Sequence, residues 1–481
     1  MNREDYIERI DGYRDQIIDT LKVLTSFKSV VDKGEGGYPF GSEVHSSFMY
    51  MLDKAKAEGY DILNIDNYGG HIEIPGYELD EDGEVIATAS ETLGIPIHLD
   101  VVPAGDGWDT DPFKAHIADG KIFGRGTTDN KGSAAAIYFA VKSLISSGFV
   151  PSKNIRIILG LDEETEWEGM KYYMERVDAP DFGFVPDADF PVINGEMGIT
   201  VFELAKKLDK TNDTGVELRS ISGGNAPNMV PDNARAVVLS DSYKEIKANL
   251  LEYKEETGYE IKAKGVGKAL EISVVGKSAH GAKPEDGQNA ISILMDFLGR
   301  VGFANEGVRD FINFYNSKIG FELNGKSIGA GLYDDPSGQL IFNAGQIKMD
   351  KDAAILTVNV RYPVTCTDED VYNGMIPILE EYNMGLVKLI HKAPIYYPVD
   401  HPMIMTLMDV YEKNTGDSES KPLVIGGGTF ARAIPASVAF GPRFPGKPEV
   451  QHQKNEYIEI NDLMEITKIY ADAIYELTKP E

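Results

Sequence analysis

The chain has 481 residues, 42% of them hydrophobic and 26% charged, a globular composition that excludes a disordered or fibrous protein and is too long for one ordinary core. A formal net charge of −30 sets it against nucleic acid phosphates, so no nucleic-acid partner is expected; the acidity marks a solvated surface and, in part, a site that attracts metal cations. No apolar run approaches the roughly 18 residues of a membrane helix, the start MNREDYIERI has no signal-peptide pattern, and the single Cys366 suits a reducing compartment, so a cytoplasmic protein without a membrane partner is expected.

Along the chain, residues 3–27 carry apolar side chains at helical spacing (Ile7, Ile10, Ile17, Ile18, Leu21, Leu24), and 43–58 reads as a second helix. The segment 77–91 reads as an acidic surface hairpin or loop. A buried strand is predicted over 95–102 (IPIHLDVV), an Ala-rich helix over 131–145, a strand over 154–162 and a helix over 164–177. Strands alternating with helices point to a three-layer α/β domain with a mainly parallel sheet. After about residue 198 strand-like runs dominate (TVFELAKK, TGVELRSISG, ARAVVLS, ALEISVVGK, AAILTVNVRYP), with helices near 242–256, 288–302 and 367–382. Near 393 the α/β pattern resumes. The expected organisation is therefore a catalytic domain over 1–198 and 393–481, interrupted by an α+β lid domain over 199–392 with two lobes.

Several segments carry chemistry. His98 and Asp100 in IHLDVVP are two apart, so on a strand they share a face, and the carboxylate can orient a metal-binding imidazole; a strand-end Asp beside a half-buried His is the simpler alternative. GRGTTDNKG (124–132) fails the phosphate-loop spacing and leaves Asp129 as a metal ligand or a helix N-cap. In LDEETEWEG (161–169), Glu163 and Glu164 either complement a helix dipole or divide metal binding and proton transfer between them. Asp187 and His452 complete a set of two imidazoles and three carboxylates with no cysteine, which suits an open catalytic site for two zinc ions sharing a carboxylate.

HLDVVP, GRGTTDNKG, LDEETEWEG, FVPDADFP, GKSAHGAKPEDG and HQKNE occur in this order over nearly the whole chain. The sequence thereby resembles the two-zinc family of dipeptidases, aminoacylases and carboxypeptidases. PNMVPD (227–232), GGGTFAR (426–432) and the length of the insertion resemble its PepV-like dipeptidase branch. The resemblance implies two zinc ions per chain, with cobalt or manganese able to substitute. Asp129 would bridge them, His98 and Asp187 completing one site and Glu164 and His452 the other. It implies Glu163 as the general base, Asp100 orienting His98, and a cis Asp129–Asn130 bond. From the insertion it implies His280 stabilising the oxyanion, and Asn228 and Arg361 holding substrate, with Arg361 on the C-terminal carboxylate. Gly426, Gly427 and Gly428 would offer backbone N–H groups to that carboxylate. The expected activity is dipeptide hydrolysis by a monomer; N-acyl amino acid deacylation is the alternative. A non-enzymatic binding module is disfavoured because the ligands and the base are all present.

Overall fold

The computed structural model describes residues 2–34, 36–80, 84–209, 215–241 and 243–480. It divides into two compact units, one of Met1–Asn194, Tyr397–Leu423 and Gly428–Glu481, the other of Gly195–Tyr396 and Val424–Gly427. The short segment Val424–Gly427 belongs to the second unit.

In the first unit the sheet runs in the order Asp61–Ile65, Gly69–Ile74, Asn154–Gly160, Thr92–His98, Phe182–Val185, Ser437–Ala439, ending on Ile193, which pairs with Ala439. The four strands from Asn154–Gly160 to Ser437–Ala439 are parallel; the two before them and the pairing of Ile193 are antiparallel. Thr92–His98 is buried on both faces, as a central parallel strand must be, which is why it reads as a continuous apolar run. One face is covered by helices Arg3–Gly12, Arg14–Ser26, Ser42–Ala57, Lys131–Ser146, Pro402–Thr415 and Ile460–Thr478, which share one apolar core with Leu93, Ile95, Ile97, Ile155, Ile157 and Leu159. Helix Lys131–Ser146 is buried on nearly every side and packs on Ile460–Thr478; small Ala134, Ala135 and Ala136 let its neighbours approach. The short helix Glu168–Met174 and the turn Phe430–Ala433 pack together with the sheet.

Three local expectations are corrected. The stretch 3–27 is two helices broken at Tyr13, whose φ and ψ of −90° and 2° leave the helical region. The strand expected over 95–102 is Thr92–His98. The helix expected over 164–177 is only Glu168–Met174, because Trp167 is left-handed and turns fold residues 163–167 around Asp162. The hairpin expected near 77–91 forms, Tyr77–Leu79 pairing Val85–Thr88; its tip at 81–83 lies outside the described residues.

The second unit is built on one antiparallel sheet in the order Glu260–Val266, Ala269–Val275, Asn233–Leu239, Glu217–Gly223, Ile341–Met349, Ala353–Tyr362, Gly198–Lys207, Gly385–Lys392. The order is a palindrome about the pairing of Ile221 with Met349. On each side a hairpin is followed by a helix (Lys244–Thr257 or Asp368–Glu381) that leads to the sheet edge. Those helices, with Ala290–Leu298 and Glu306–Lys318, share one core with Phe202, Ile272, Phe311, Leu356 and Val358. The strands Glu260–Val266, Ile341–Met349 and Gly385–Lys392 and the helix Glu306–Lys318 were not anticipated from the sequence. Among the described residues no helix is long and apolar enough to cross a membrane.

Candidate metal centre

Adjacent parallel strands bring their carboxyl ends to one place, which is where open α/β sheets put their sites. Thr92–His98 ends on His98, Asn154–Gly160 leads into Glu163 and Glu164, and Phe182–Val185 leads to Asp187. Asp129 closes the loop that opens helix Lys131–Ser146, and its bond to Asn130 is cis, as expected. His452 stands in the turn before strand Tyr457–Glu459 with a left-handed φ of 60°, a conformation that costs a non-glycine residue about 1–3 kcal/mol.

Two triads converge here: His98, Asp129 and Asp187, and Asp129, Glu164 and His452. Within each, the ligand atoms lie within 4.8 Å of one another. Asp129 belongs to both. Its Oδ1 is 2.9 Å from His98 Nε2, and its Oδ2 is 3.1 Å from His452 Nε2. Asp187 Oδ2 lies 3.6 Å from His98 Nε2, and Glu164 Oε1 lies 3.0 Å from His452 Nε2. Glu163 is in neither triad. Since the helix starts only at Glu168, neither Glu163 nor Glu164 sits in a helical first turn, and the dipole alternative for this pair falls. The oxygen nearest His98 Nδ1 is the Asp100 backbone carbonyl at 3.0 Å, with the carboxylate at 3.4 Å. That carboxylate accepts the backbone N–H groups of Glu163 and Glu164, at 3.1 and 3.0 Å, so Asp100 ties the acidic turn to the histidine strand.

The electrostatics follow from crowding. Burial, then the charge of Asp187, holds the Glu163 carboxyl well above its usual range. Burial and Asp129 push Glu164 up to about 7. Against the penalty of burial, the charge of Asp187 and hydrogen bonds to its carboxylate neighbours raise His98; hydrogen bonds to Asp129 and Glu164 raise His452 to about 11. Imidazole and carboxylate donors gathered this closely fit divalent cations, which relieve the same repulsion that protons on the histidines relieve without them.

A family model described as Peptidase family M20/M25/M40 matches residues 94–476. The chain belongs to this family. It is thereby a hydrolase of the metal-dependent peptidase kind. M20 relatives match over nearly their full length: "Putative dipeptidase YtjP" of Bacillus subtilis is 36% identical over 98% of this chain and 99% of its own. "Putative dipeptidase" of Staphylococcus epidermidis is 35% identical over 98% of each. These relatives accord with the PepV-like branch. Solved structures share the fold. They include aminoacylhistidine dipeptidase from Vibrio alginolyticus (14% identity, TM-score 0.58, 97% of each chain). Another is the di-peptidase Dug1p from Saccharomyces cerevisiae (13%, TM-score 0.55, 100% of this chain and 99% of that one).

Other residues of this M20 chain stand beside the ligands and were not singled out by sequence. Asn130 donates its amide to Asp187 Oδ1 at 2.9 Å and to the Pro186 carbonyl at 2.6 Å, fixing that carboxylate. Buried Lys131 donates to the Phe27 carbonyl at 2.9 Å, and burial lowers it to about 7. Arg125 and Glu456 form an ion pair, each 1% exposed, at 2.7 Å. All four sit inside motifs quoted for their neighbours, an Arg, an Asn and a Lys in a glycine-rich loop and a Glu closing HQKNE, but the spacing does not name their partners.

The second unit gathers the other M20 candidates among themselves. Met229 bridges His280, and Gly281 donates to the Asn228 carbonyl at 2.7 Å. Asn343 holds this segment by donating to the Pro227 and Met229 carbonyls, at 2.8 and 2.9 Å. His280 and Asn228 are exposed, and Arg361 is buried on strand Ala353–Tyr362. A Cβ on Gly426 would lie 3.0 Å from Ala282 Cβ and 3.8 Å from Arg361 Cγ, so the glycine segment runs past Arg361. Gly427 shares the second unit, and Gly428 falls in the first.

Proposed function

We propose that the chain is a dipeptidase acting on short peptides with free ends through two divalent ions, zinc with cobalt or manganese able to replace it. His98, Asp129 and Asp187 would hold one ion, and Asp129, Glu164 and His452 the other. The observation that carries this reading is Asp129, whose two carboxylate oxygens face one histidine each. When bound, the ions supply Lewis acidity that polarises the scissile carbonyl and acidifies the attacking water. Glu163 takes that water's proton and returns it to the leaving amine; its raised proton affinity suits a group that must hold a proton between the two transfers. Asp100 fixes the backbone that presents Glu163. His280 stabilises the developing oxyanion, and Asn228 holds the substrate. Arg361 pairs with the C-terminal carboxylate, with Gly427 and Gly428 offering backbone N–H groups. The dipeptidase names of the full-length relatives support this substrate class.

The test sets zinc-loaded and chelated protein against dipeptides, amidated dipeptides, tripeptides and N-acetyl amino acids. Free dipeptides should be cleaved fastest, amidated dipeptides and tripeptides poorly. Chelation should abolish the activity, and zinc, cobalt or manganese should restore it. Faster turnover of N-acetyl amino acids would make the chain a deacylase. Full activity in protein shown metal-free by elemental analysis would overturn the metal reading.

A further inference from the structure

Glu456 closes the motif that supplies His452, yet it is no ligand in either triad. It is fully buried, and its carboxylate faces backbone amides. Oε1 accepts the N–H groups of Thr128 and Asp129, at 2.9 and 3.1 Å. Oε2 accepts the N–H of Gly126 at 2.9 Å and the Arg125 guanidinium at 2.7 Å. Its own carbonyl accepts the Gly124 N–H at 2.9 Å, and the next carbonyl, of Tyr457, accepts the Thr128 hydroxyl at 2.7 Å. From there Tyr457–Glu459 pairs with Lys121–Phe123. One carboxylate thus organises the loop that ends in Asp129, and it directly follows the turn that holds His452.

A surface ion pair would not be built this way. Burying a carboxylate is costly unless its lone pairs are met, and here four donors meet them. The loop can wrap the carboxylate because Gly126 is left-handed, with φ of 84°. The arrangement fixes two segments against each other: the one carrying the shared ligand, Asp129, and the one carrying His452.

We propose that Glu456 is a positioning residue that sets Asp129 and His452 in mutual register before metal binds, so that zinc affinity depends on a side chain that never touches the ion. This rests on the metal reading of the triads. An amide at this position cannot do the same. Whichever end of a glutamine carries the NH2 faces N–H donors, so either the Thr128 and Asp129 pair or the Gly126 and Arg125 pair loses its acceptor.

Two measurements test it, neither using a substrate. In metal-free wild type, hydrogen exchange by mass spectrometry should show the peptide spanning 124–130 already protected and little changed by added zinc. Rapid exchange that slows only when zinc is added would mean the metal orders the loop, and the proposal fails. In Glu456→Gln, competition with a chromogenic zinc chelator should show roughly 10–100-fold weaker binding at one site or both, the scale for partners that orient ligands. The folded fraction is measured on the metal-free variant by circular dichroism. A lower Tm with wild-type zinc affinity per folded molecule would make Glu456 a fold-stabilising residue and overturn the proposal. Should the variant not fold, the exchange measurement on wild type decides alone. Wild type that binds no divalent ion would instead overturn the metal reading, a separate failure.

Discussion

Among single residues the adjacent acids Glu163 and Glu164 divide most sharply. Glu164 reaches His452, whereas Glu163 stands outside the ligand triads with its proton affinity raised. Glu163→Gln keeps the shape and removes the proposed base, so metal content should stay near wild type while kcat falls by at least ~100-fold. Wild-type kcat in that variant would return Glu163 to an ordinary turn acid. Another residue, the buried His71, bears on stability through its burial. Its Nδ1 lies 2.6 Å from the Tyr173 hydroxyl, and burial, with Arg156 adding to it, lowers its pKa to about 4. The unfolded value is near 6.5, so between these the unfolded chain binds a proton that the folded one does not. Stability from a neutral His71 is therefore complete above about pH 6.5 and is lost as pH falls through 4, by on the order of 3 kcal/mol. In denaturant titrations the advantage of wild type over His71→Gln should shrink as pH drops from 7 to 4.5. A constant gap would show that His71 does not titrate in this way. The ligand types were legible from sequence because imidazole and carboxylate chemistry belongs to the residue itself. The second role of Asp100 and the part of Glu456 were not, because hydrogen bonding to distant backbone amides leaves no mark on spacing.

At the scale of elements, the loop and helix carrying Asp129 depend on close packing. A Cβ on Gly132, in the first turn of Lys131–Ser146, would lie 2.2 Å from the Thr127 carbonyl oxygen, whereas one on Gly12 meets nothing within 4 Å. Gly132→Ala should therefore cost about 1–3 kcal/mol through overpacking, and Gly12→Ala should be neutral or stabilising by up to about 1 kcal/mol. Thermal unfolding of the two variants beside wild type checks this; equal Tm values would show that the first turn yields without strain. Long periodic or continuously apolar elements were readable: Lys131–Ser146 and Asn154–Gly160 lie within a few residues of expectation. Edge strands were not. Glu260–Val266 has no apolar run to announce it, and in Gly385–Lys392 the apolar Val387, Leu389 and Ile390 are exposed, so no core-facing alternation marks that strand. The helix after Glu164 was misplaced for a different reason: Asp162 takes the N–H of Gly169 at 3.0 Å and folds the intervening residues into turns.

In the whole molecule the palindromic sheet of the second unit bears on assembly. Its two halves meet through Ile221–Gly223 and Ile347–Met349 as two copies of one motif would across a dyad. We propose that the protein is active as a monomer. Mixing inactive Glu163→Gln with inactive His280→Ala should then restore no activity, and light scattering should give a mass near 52.9 kDa. Recovery of substantial activity on mixing would mean that chains exchange catalytic groups. By itself the sequence determined the inventory of donors, their order, the alternation that makes an α/β unit and the presence of an α+β insertion, because these depend on residue chemistry and on local periodicity. Only the tertiary structure decided that the Asp100 carboxylate takes the backbone N–H groups of Glu163 and Glu164, that the Glu456 carboxylate takes those of Thr128 and Asp129, and that the strands of the insertion close into one sheet. Each of these is a contact between segments far apart in the chain, set by how strands order themselves in a sheet and by which buried polar groups find partners, and neither is encoded in local spacing.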